Sequence, residues 1–309
     1  MGGEDPMTSI NTNASAQIAL QNLNSVSERL TLTQNRVSTG LKVQGAKDNA
    51  AVWAIAQNQR ADTKAYESVK SSLNRATSIA DVSLSAGQSI SDLLTELKTK
   101  ATAAADPGGS VASRKAYNDE FQALLKSVQS FADNATFDGK NILNGKDDAG
   151  VRPTPPAVLP PLQFLANADA TETISLNPQD LSLIGLGLDL PARAASAGPP
   201  VVTARPAGPP LLDTVENATE ALAVIDTALA TVSSRLAELG AQTKQLENHT
   251  TFVGQLMDAL EVGIGNLVDA DLAKESARLQ ALQVQQQLSV QSLSIANQAP
   301  QVILSLFQN

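Results

Sequence analysis

Ala218-Thr-Glu-Ala-Leu222-Ala-Val-Ile225-Asp-Thr-Ala-Leu229-Ala-Thr-Val232-Ser-Ser-Arg-Leu236-Ala-Glu-Leu239 opens the longest regular pattern in the chain. Apolar residues alternate three and four apart, and the alternation continues through Thr243, Leu246, Thr250, Val253, Met257, Leu260, Ile264 and Leu267. This is the stripe of a coiled-coil-like helix that packs lengthwise on another helix. A continuous helix over that span is about 75 Å long, whereas a compact globule of this chain length is only about 50 Å across. The pattern therefore predicts an elongated domain. Gly263 and Gly265 near its end predict that the helix frays or stops there.

A matching stripe lies in the N-terminal half at Val69, Leu73, Ala76, Ala80, Leu84, Gly87, Ile90, Leu94, Leu97 and Ala101. It ends at the breaker Asp106-Pro107-Gly108-Gly109. A third helix follows, with Phe121, Leu124, Leu125, Val128 and Phe131 on one face. The bundle so predicted draws its helices from both halves of the chain.

Twelve of the 15 prolines fall between Pro153 and Pro210, in two runs that read as irregular surface chain. Between the runs, Leu162 to Leu165 and Thr173 to Leu176 have strand character around a polar turn at Asn167 to Thr171, which predicts a hairpin. The fold class is therefore mainly α: an elongated helical rod of long helices from both chain ends, with a small β-hairpin region and proline-rich loops.

Composition limits what such a molecule does. Only 3% of the 309 residues are aromatic, which argues for long helices with modest apolar seams and against a thick core with deep pockets. The formal net charge is −9 and no cluster of Lys and Arg forms a basic patch, so nucleic acid is a poor partner. The absence of cysteine excludes disulfides, thiolate zinc sites and cysteine nucleophiles. There is no signal-peptide pattern at the N-terminus and no run of 18 apolar residues. Membrane insertion is not expected, and export, if it occurs, uses another route.

Two stretches carry no Asp, Glu, Lys, Arg or His: Thr8 to Ser27 and Leu279 to Asn309. The first begins a helical stripe through Ala16, Ala19, Leu23, Val26, Leu30, Thr33 and Val37; the second places Leu279, Leu282, Leu288, Leu293 and Ile295 among many glutamines. Short helices with narrow seams are marginal alone in water, so both ends are expected to gain order only when a partner covers them. Leu23, Val26, Leu30, Val37, Leu279, Leu282, Leu288, Leu293 and Ile295 are accordingly the candidate polymerisation interface.

Nothing in the sequence assembles a catalytic, cofactor or metal site. His249 is the only histidine and sits within the long seam as a packing or surface residue. The stretch from Gly139 to Gly145-Lys146 is one residue too long for a phosphate loop, and Asp147 stands where Ser or Thr would bind magnesium. Gly185-Leu-Gly187 lacks the third glycine of a dinucleotide motif and reads as structural. Trp53, the only tryptophan, reads as a buried anchor.

Several long motifs in order resemble the bacterial flagellins: Ser9-Ile-Asn-Thr-Asn13, Ala19-Leu-Gln-Asn-Leu-Asn24, Val37-Ser-Thr-Gly-Leu-Lys-Val-Gln-Gly-Ala-Lys-Asp-Asn-Ala-Ala51, Asp269-Ala-Asp-Leu-Ala-Lys-Glu-Ser276, Leu293-Ser-Ile-Ala-Asn-Gln-Ala-Pro300 and Leu304-Ser-Leu-Phe307. In the middle, Phe164 to Leu176 and Leu186-Gly-Leu188 are similar to the family's rod-closing hairpin. Ala51-Val-Trp53-Ala54 and Gly265-Asn-Leu-Val268 look most like the alphaproteobacterial kind, here in a short form without a large outer domain. Met7 is the more natural first residue, since Met1 to Pro6 has no counterpart in the family's usual start. The family's hook-filament junction protein and an adhesin borrowing the scaffold are the competing readings. The Ala296-Asn-Gln298 ending and the hairpin favour a filament subunit, and no aromatic platform or basic groove favours an adhesin.

The resemblance implies a structural, non-enzymatic protein that is secreted without a cleaved signal and polymerises with itself into the filament that drives swimming. Its other implied partners are the flagellar export apparatus, an export chaperone, the filament cap and the hook-filament junction proteins. The implied division is 1–44 as filament-core helix and connector, 45–150 as the N-terminal part of the rod, 151–212 as hairpin and proline-rich region, 213–268 as the C-terminal part of the rod, and 269–309 as the C-terminal filament-core helix. In the family the end helices line a channel. Uncharged ends would then neither trap passing chains nor offer them an apolar surface, although helix-helix contact alone also excludes charge. Leu93-Leu-Thr-Glu-Leu-Lys98 matches the stretch that an animal innate receptor reads in many flagellins; Glu96 is kept, but Leu93 and Thr95 stand in place of two arginines.

Overall fold

The computed structural model describes residues 13–147, 149–153, 159–189 and 208–306. Met1 to Pro6 and most of the two proline runs lie outside them. The elements are α1 (Ala14–Thr39), α2 (Ala50–Ala104), α3 (Val111–Asn134), β1 (Leu162–Leu165), β2 (Thr173–Leu176), α4 (Val215–Val268) and α5 (Leu272–Leu306). Among the described residues the protein is mainly α with one small antiparallel hairpin. It divides into two compact units, one of residues Met1–Ala61 with Ala259–Asn309, the other of Asp62–Asp258.

The Asp62–Asp258 unit is built on the two long stripes. On α2, Val69, Leu73, Ala76, Ala80, Ser83, Gly87, Ile90, Leu94, Leu97, Ala101 and Ala104 are all buried, at strict alternating spacings of four and three. A repeat with that mean period keeps one seam facing its partner over many turns. On α4 the most buried positions are Ala218, Ala221, Ile225, Ala228, Val232, Leu239, Leu246 and Val253, with Leu222, Leu229 and Leu236 half-buried beside them. Gly87 sits at a close approach: a Cβ there would press on the tip of the Leu236 side chain, which would have to shift.

Ser110 caps α3, accepting from the Ser113 amide at 3.1 Å, after the breaker that ends α2. Phe121, Leu125, Val128 and Ala132 form the buried face of α3. Phe131, expected on that face, is 42% exposed. The four-three-four spacing from Phe121 selects Ala132, and Phe131 falls about 100° to the side.

The hairpin pairs Phe164 with Ile174 and Leu162 with Leu176. Phe164, Ile174 and Leu176 join the core while Gln163, Thr173 and Ser175 point outward, the period-two alternation of a one-sided sheet. Its turn is closed by the Asn167 side chain, which accepts from the Thr171 and Glu172 amides at 3.0 and 3.2 Å. A lone two-stranded hairpin is marginal in water. Here Arg75 of α2 covers the Phe164 ring, and Gln242 of α4 accepts from the Asn177 amide at 2.9 Å.

The helix α4 runs on to Val268 without stopping at Gly263 or Gly265. Each interior glycine costs about 1 kcal/mol relative to alanine. The Gly265 carbonyl still accepts, at 2.8 Å from the Asp269 amide, so the ladder is complete to the end.

The α1–α5 pair and the candidate polymerisation interface

The second unit centres on α1 and α5. Asn13 caps α1, accepting from the Ala16 amide at 3.0 Å, while its own amide donates to the Ala296 carbonyl at 2.7 Å. Midway, Gln286 Nε2 lies 3.4 Å from Ser27 Oγ. At the far end, Arg36 in the last turn of α1 pairs at 3.3 Å with Glu275 in the first turn of α5. Three polar ties whose numbers run in opposite senses fix an antiparallel register. Glu275 is buried and Arg36 half-buried, so a one-turn slip would leave the Glu275 carboxylate without its partner.

Between these ties the apolar seam is thin. Val26, Leu30 and Leu282 are buried together with Leu279 packed against them, and Ala19 and Thr33 are buried on the same face of α1. Beyond Arg36, Gly40 ends α1 in the left-handed conformation with φ of 72°. The chain then crosses the α4–α5 link: Lys42 donates to the Val268 carbonyl at 2.6 Å and Ala270 to the Gly40 carbonyl at 2.8 Å. Val43, Ala56 and Val268 make a small core under this crossing, and Trp53, expected to be buried, packs against it half-buried.

The nine sequence-predicted interface residues therefore separate into two sets. Val26, Leu30, Leu279 and Leu282 meet inside the subunit, and Leu23, Val37 and Leu293 are half-buried along the same pair. Leu288 and Ile295 are 61% and 63% exposed. Sequence reasoning missed further exposed apolar residues on both helices: Ile18, Leu20 and Leu32 on α1, and Val284 and Val290 on α5. The available signal was that apolar residues in these uncharged stretches occupy more than one helical face.

Elsewhere the chemistry-bearing residues serve the fold. His249 Nε2 lies 2.7 Å from the Ala166 carbonyl, fastening the end of the hairpin to α4. Lys146, after the glycine-rich turn, donates to Asp133 at 2.8 Å and has no phosphate-loop setting. Gly145 and Gly185 both abut Asp180, which pairs with Arg152; a Cβ at either glycine would collide with it. Among the described residues, no group of three or more His, Asp or Glu side chains is placed to hold a metal ion. Among them, too, no helix is long and apolar enough to cross a membrane.

The family description "bacterial flagellin N-terminal helical region" matches residues 10–148, and "bacterial flagellin C-terminal helical region" matches residues 222–307. Flagellin FljK of Caulobacter vibrioides is 44% identical over 302 residues, covering 98% of this chain and 99% of that one. Flagellin C of Rhizobium meliloti is 37% identical over 328 residues, covering 98% and 100%. The flagellin of Brucella melitensis is 37% identical over 306 residues, again covering 98% and 100%. With both terminal regions matched and relatives aligned over nearly their whole length, this chain belongs to the bacterial flagellins, the structural subunits of the flagellar filament.

Proposed function

We propose that the α1–α5 pair is the element through which copies of this chain build the filament, with Leu23, Val26, Leu30, Val37, Leu279, Leu282, Leu288, Leu293 and Ile295 acting in two ways. The inner residues hold α1 and α5 together as a pair. The outer ones, Leu288 and Ile295 with Ile18, Val284 and Val290, meet neighbouring copies. The observation that carries this reading is the set of large apolar side chains left in water on both helices, most of them within the two uncharged stretches. An open helical polymer needs surfaces that continue without closing, and burial of these faces on assembly supplies the driving force.

The division into 1–44, 45–150, 151–212, 213–268 and 269–309 fits this role, with the first and last segments forming the filament core and the others the rod and its hairpin region. The reading also makes the protein secreted, extracellular and non-enzymatic. Its export apparatus, chaperone, cap and hook-filament junction partners follow from the family resemblance. Deleting the chain after Leu279 tests the core of the proposal. The truncated protein is expected to keep the melting transition of the Asp62–Asp258 unit, which contains none of the deleted residues, and to form no sedimentable polymer on seeds. Normal polymer from the truncated protein would refute it.

A further inference from the structure

The loop after α3 holds the one Asn-Gly pair in the chain, Asn144-Gly145. In such a pair the glycine nitrogen can attack the asparagine side-chain carbonyl carbon, because glycine has no Cβ to obstruct the five-membered ring that forms. Here the fold holds the reacting groups. Asn141 Oδ1 accepts from the Leu143 and Asn144 amides at 2.7 and 3.2 Å, which pins the backbone entering the turn. Asn144 Oδ1 accepts from the Lys146 amide at 3.0 Å, which folds the side chain forward along the turn and draws electrons from its Cγ. Arg152 Nη2 donates to the Asn144 backbone carbonyl at 2.7 Å. That oxygen and the Gly145 nitrogen belong to one peptide group, so the guanidinium stabilises the negative charge the group takes on when the N–H is lost. Gly145 is buried, yet no acceptor among the described residues holds its N–H, and the Asp180 carboxylate stands against the same residue. The Arg152–Asp180 pair explains how this corner is held together, but not why a buried donor is left bare.

We propose that Asn144 is a site of intramolecular deamidation that the fold promotes. The Gly145 nitrogen gives up its proton to base and bonds to Asn144 Cγ; the bond from Cγ to Nδ2 breaks, and the amide nitrogen takes up a proton and leaves as ammonia. Water then opens the cyclic imide at either carbonyl, leaving aspartate or isoaspartate at position 144. Oxidation states do not change, and water is the only co-reactant. Either product adds a negative charge beside Asp180. Isoaspartate also lengthens the backbone by a carbon next to the place where the Ile142 and Leu143 carbonyls accept from the Gln179 and Leu181 amides, each at 2.7 Å.

The full chain is incubated natively and unfolded in guanidinium chloride over a range of pH. Deamidation of the peptide containing Asn144 is followed by mass spectrometry, and isoaspartate by enzymatic methylation. Native Asn144 is expected to react at least as fast as in the unfolded chain, with a rate that rises with pH. Arg152→Gln is expected to slow the native reaction about ten-fold, the loss of one hydrogen bond to a developing charge, and to leave the unfolded rate unchanged. Arg152→Lys, which keeps the charge, is expected to retain most of the native rate. A native rate below the unfolded one overturns the proposal, as does a native rate indifferent to Arg152→Gln. Should Arg152→Gln fail to fold, the comparison of native with unfolded unaltered chain decides alone.

Discussion

Leu282→Asp separates the contribution of the α1–α5 seam from that of the rest of the molecule. Leu282 is 6% exposed and packs on Val26 and Leu30, themselves 5% and 8% exposed. Truncating it to alanine costs about 2–3 kcal/mol, the low end for a core leucine, because a two-helix seam closes partly over the gap. That shifts pairing of α1 with α5 about 30- to 150-fold. An unpaired carboxylate at the same place adds several kcal/mol, taking the total beyond about 4 kcal/mol and the shift beyond roughly a thousand-fold. If only paired subunits add to a filament end, the critical concentration rises by a comparable factor. The assay is seeded polymerisation across a concentration series, with unsedimented protein measured at equilibrium. Leu282→Asp is expected to leave all protein in the supernatant where the unaltered chain sediments. Leu288→Asp is the informative companion: it starts from a side chain 61% exposed, so monomer helicity should be unchanged while polymerisation still fails. Growth of Leu282→Asp at the unaltered critical concentration would refute the reasoning.

Three further outcomes are expected. Gly145→Ala forces a side chain onto a residue with φ of 63° and against the Asp180 carboxylate, costing about 2–3 kcal/mol; calorimetry should show the Asp62–Asp258 unit melting about 5–10 °C lower. Burial pushes the Asp133 carboxyl up, but hydrogen bonds from Gln129 and Lys146 and the Lys146 charge outweigh it and hold it below the ordinary carboxylate range. Its stabilising effect is therefore full above pH ~4 and is lost as pH falls through the depressed value. Asp133→Asn should flatten the acid limb of a melting-temperature profile and lower the plateau near neutrality. Finally, Thr95 and Glu96 are exposed on α2 and Leu93 is half-buried, with no arginine between Arg75 and Arg114. Loss of two charge-assisted contacts at an interface centre weakens binding on the order of a hundred-fold. Monomeric protein should therefore give little signal through the animal flagellin receptor in a reporter-cell assay, at doses sufficient for an arginine-bearing flagellin.

What could be read in the sequence depended on whether the partner of each face lay in the same chain. The stripes of α2 and α4 were legible residue by residue, because each is one continuous seam whose covering surface is the other half of the molecule. The deviations are local: Ser83 takes the buried place expected of Leu84, Ala132 that of Phe131, and on α4 Ala221 and Ala228 are fully buried while Leu222, Leu229 and Leu236 are only half-buried. The hairpin was legible to its ends, since alternation, Asn167 and the flanking prolines agree. The start of α2 at Ala50, well before Val69, was not legible, because its first turns belong to the other unit and pack around Val43 and Val268 instead of the long seam. The candidate interface lies at the opposite limit. Leu282 and Leu288 are both leucines in the uncharged, glutamine-rich part of α5, yet one is buried and the other largely in water. A helix with apolar residues on several faces has no single buried direction, so periodicity cannot rank those faces. Only the antiparallel register set by Asn13, Ser27 and Arg36 selects the inner one. The proposal gives the outer face to a neighbouring copy, and the contrast between Leu282 and Leu288 in polymerisation makes that assignment measurable.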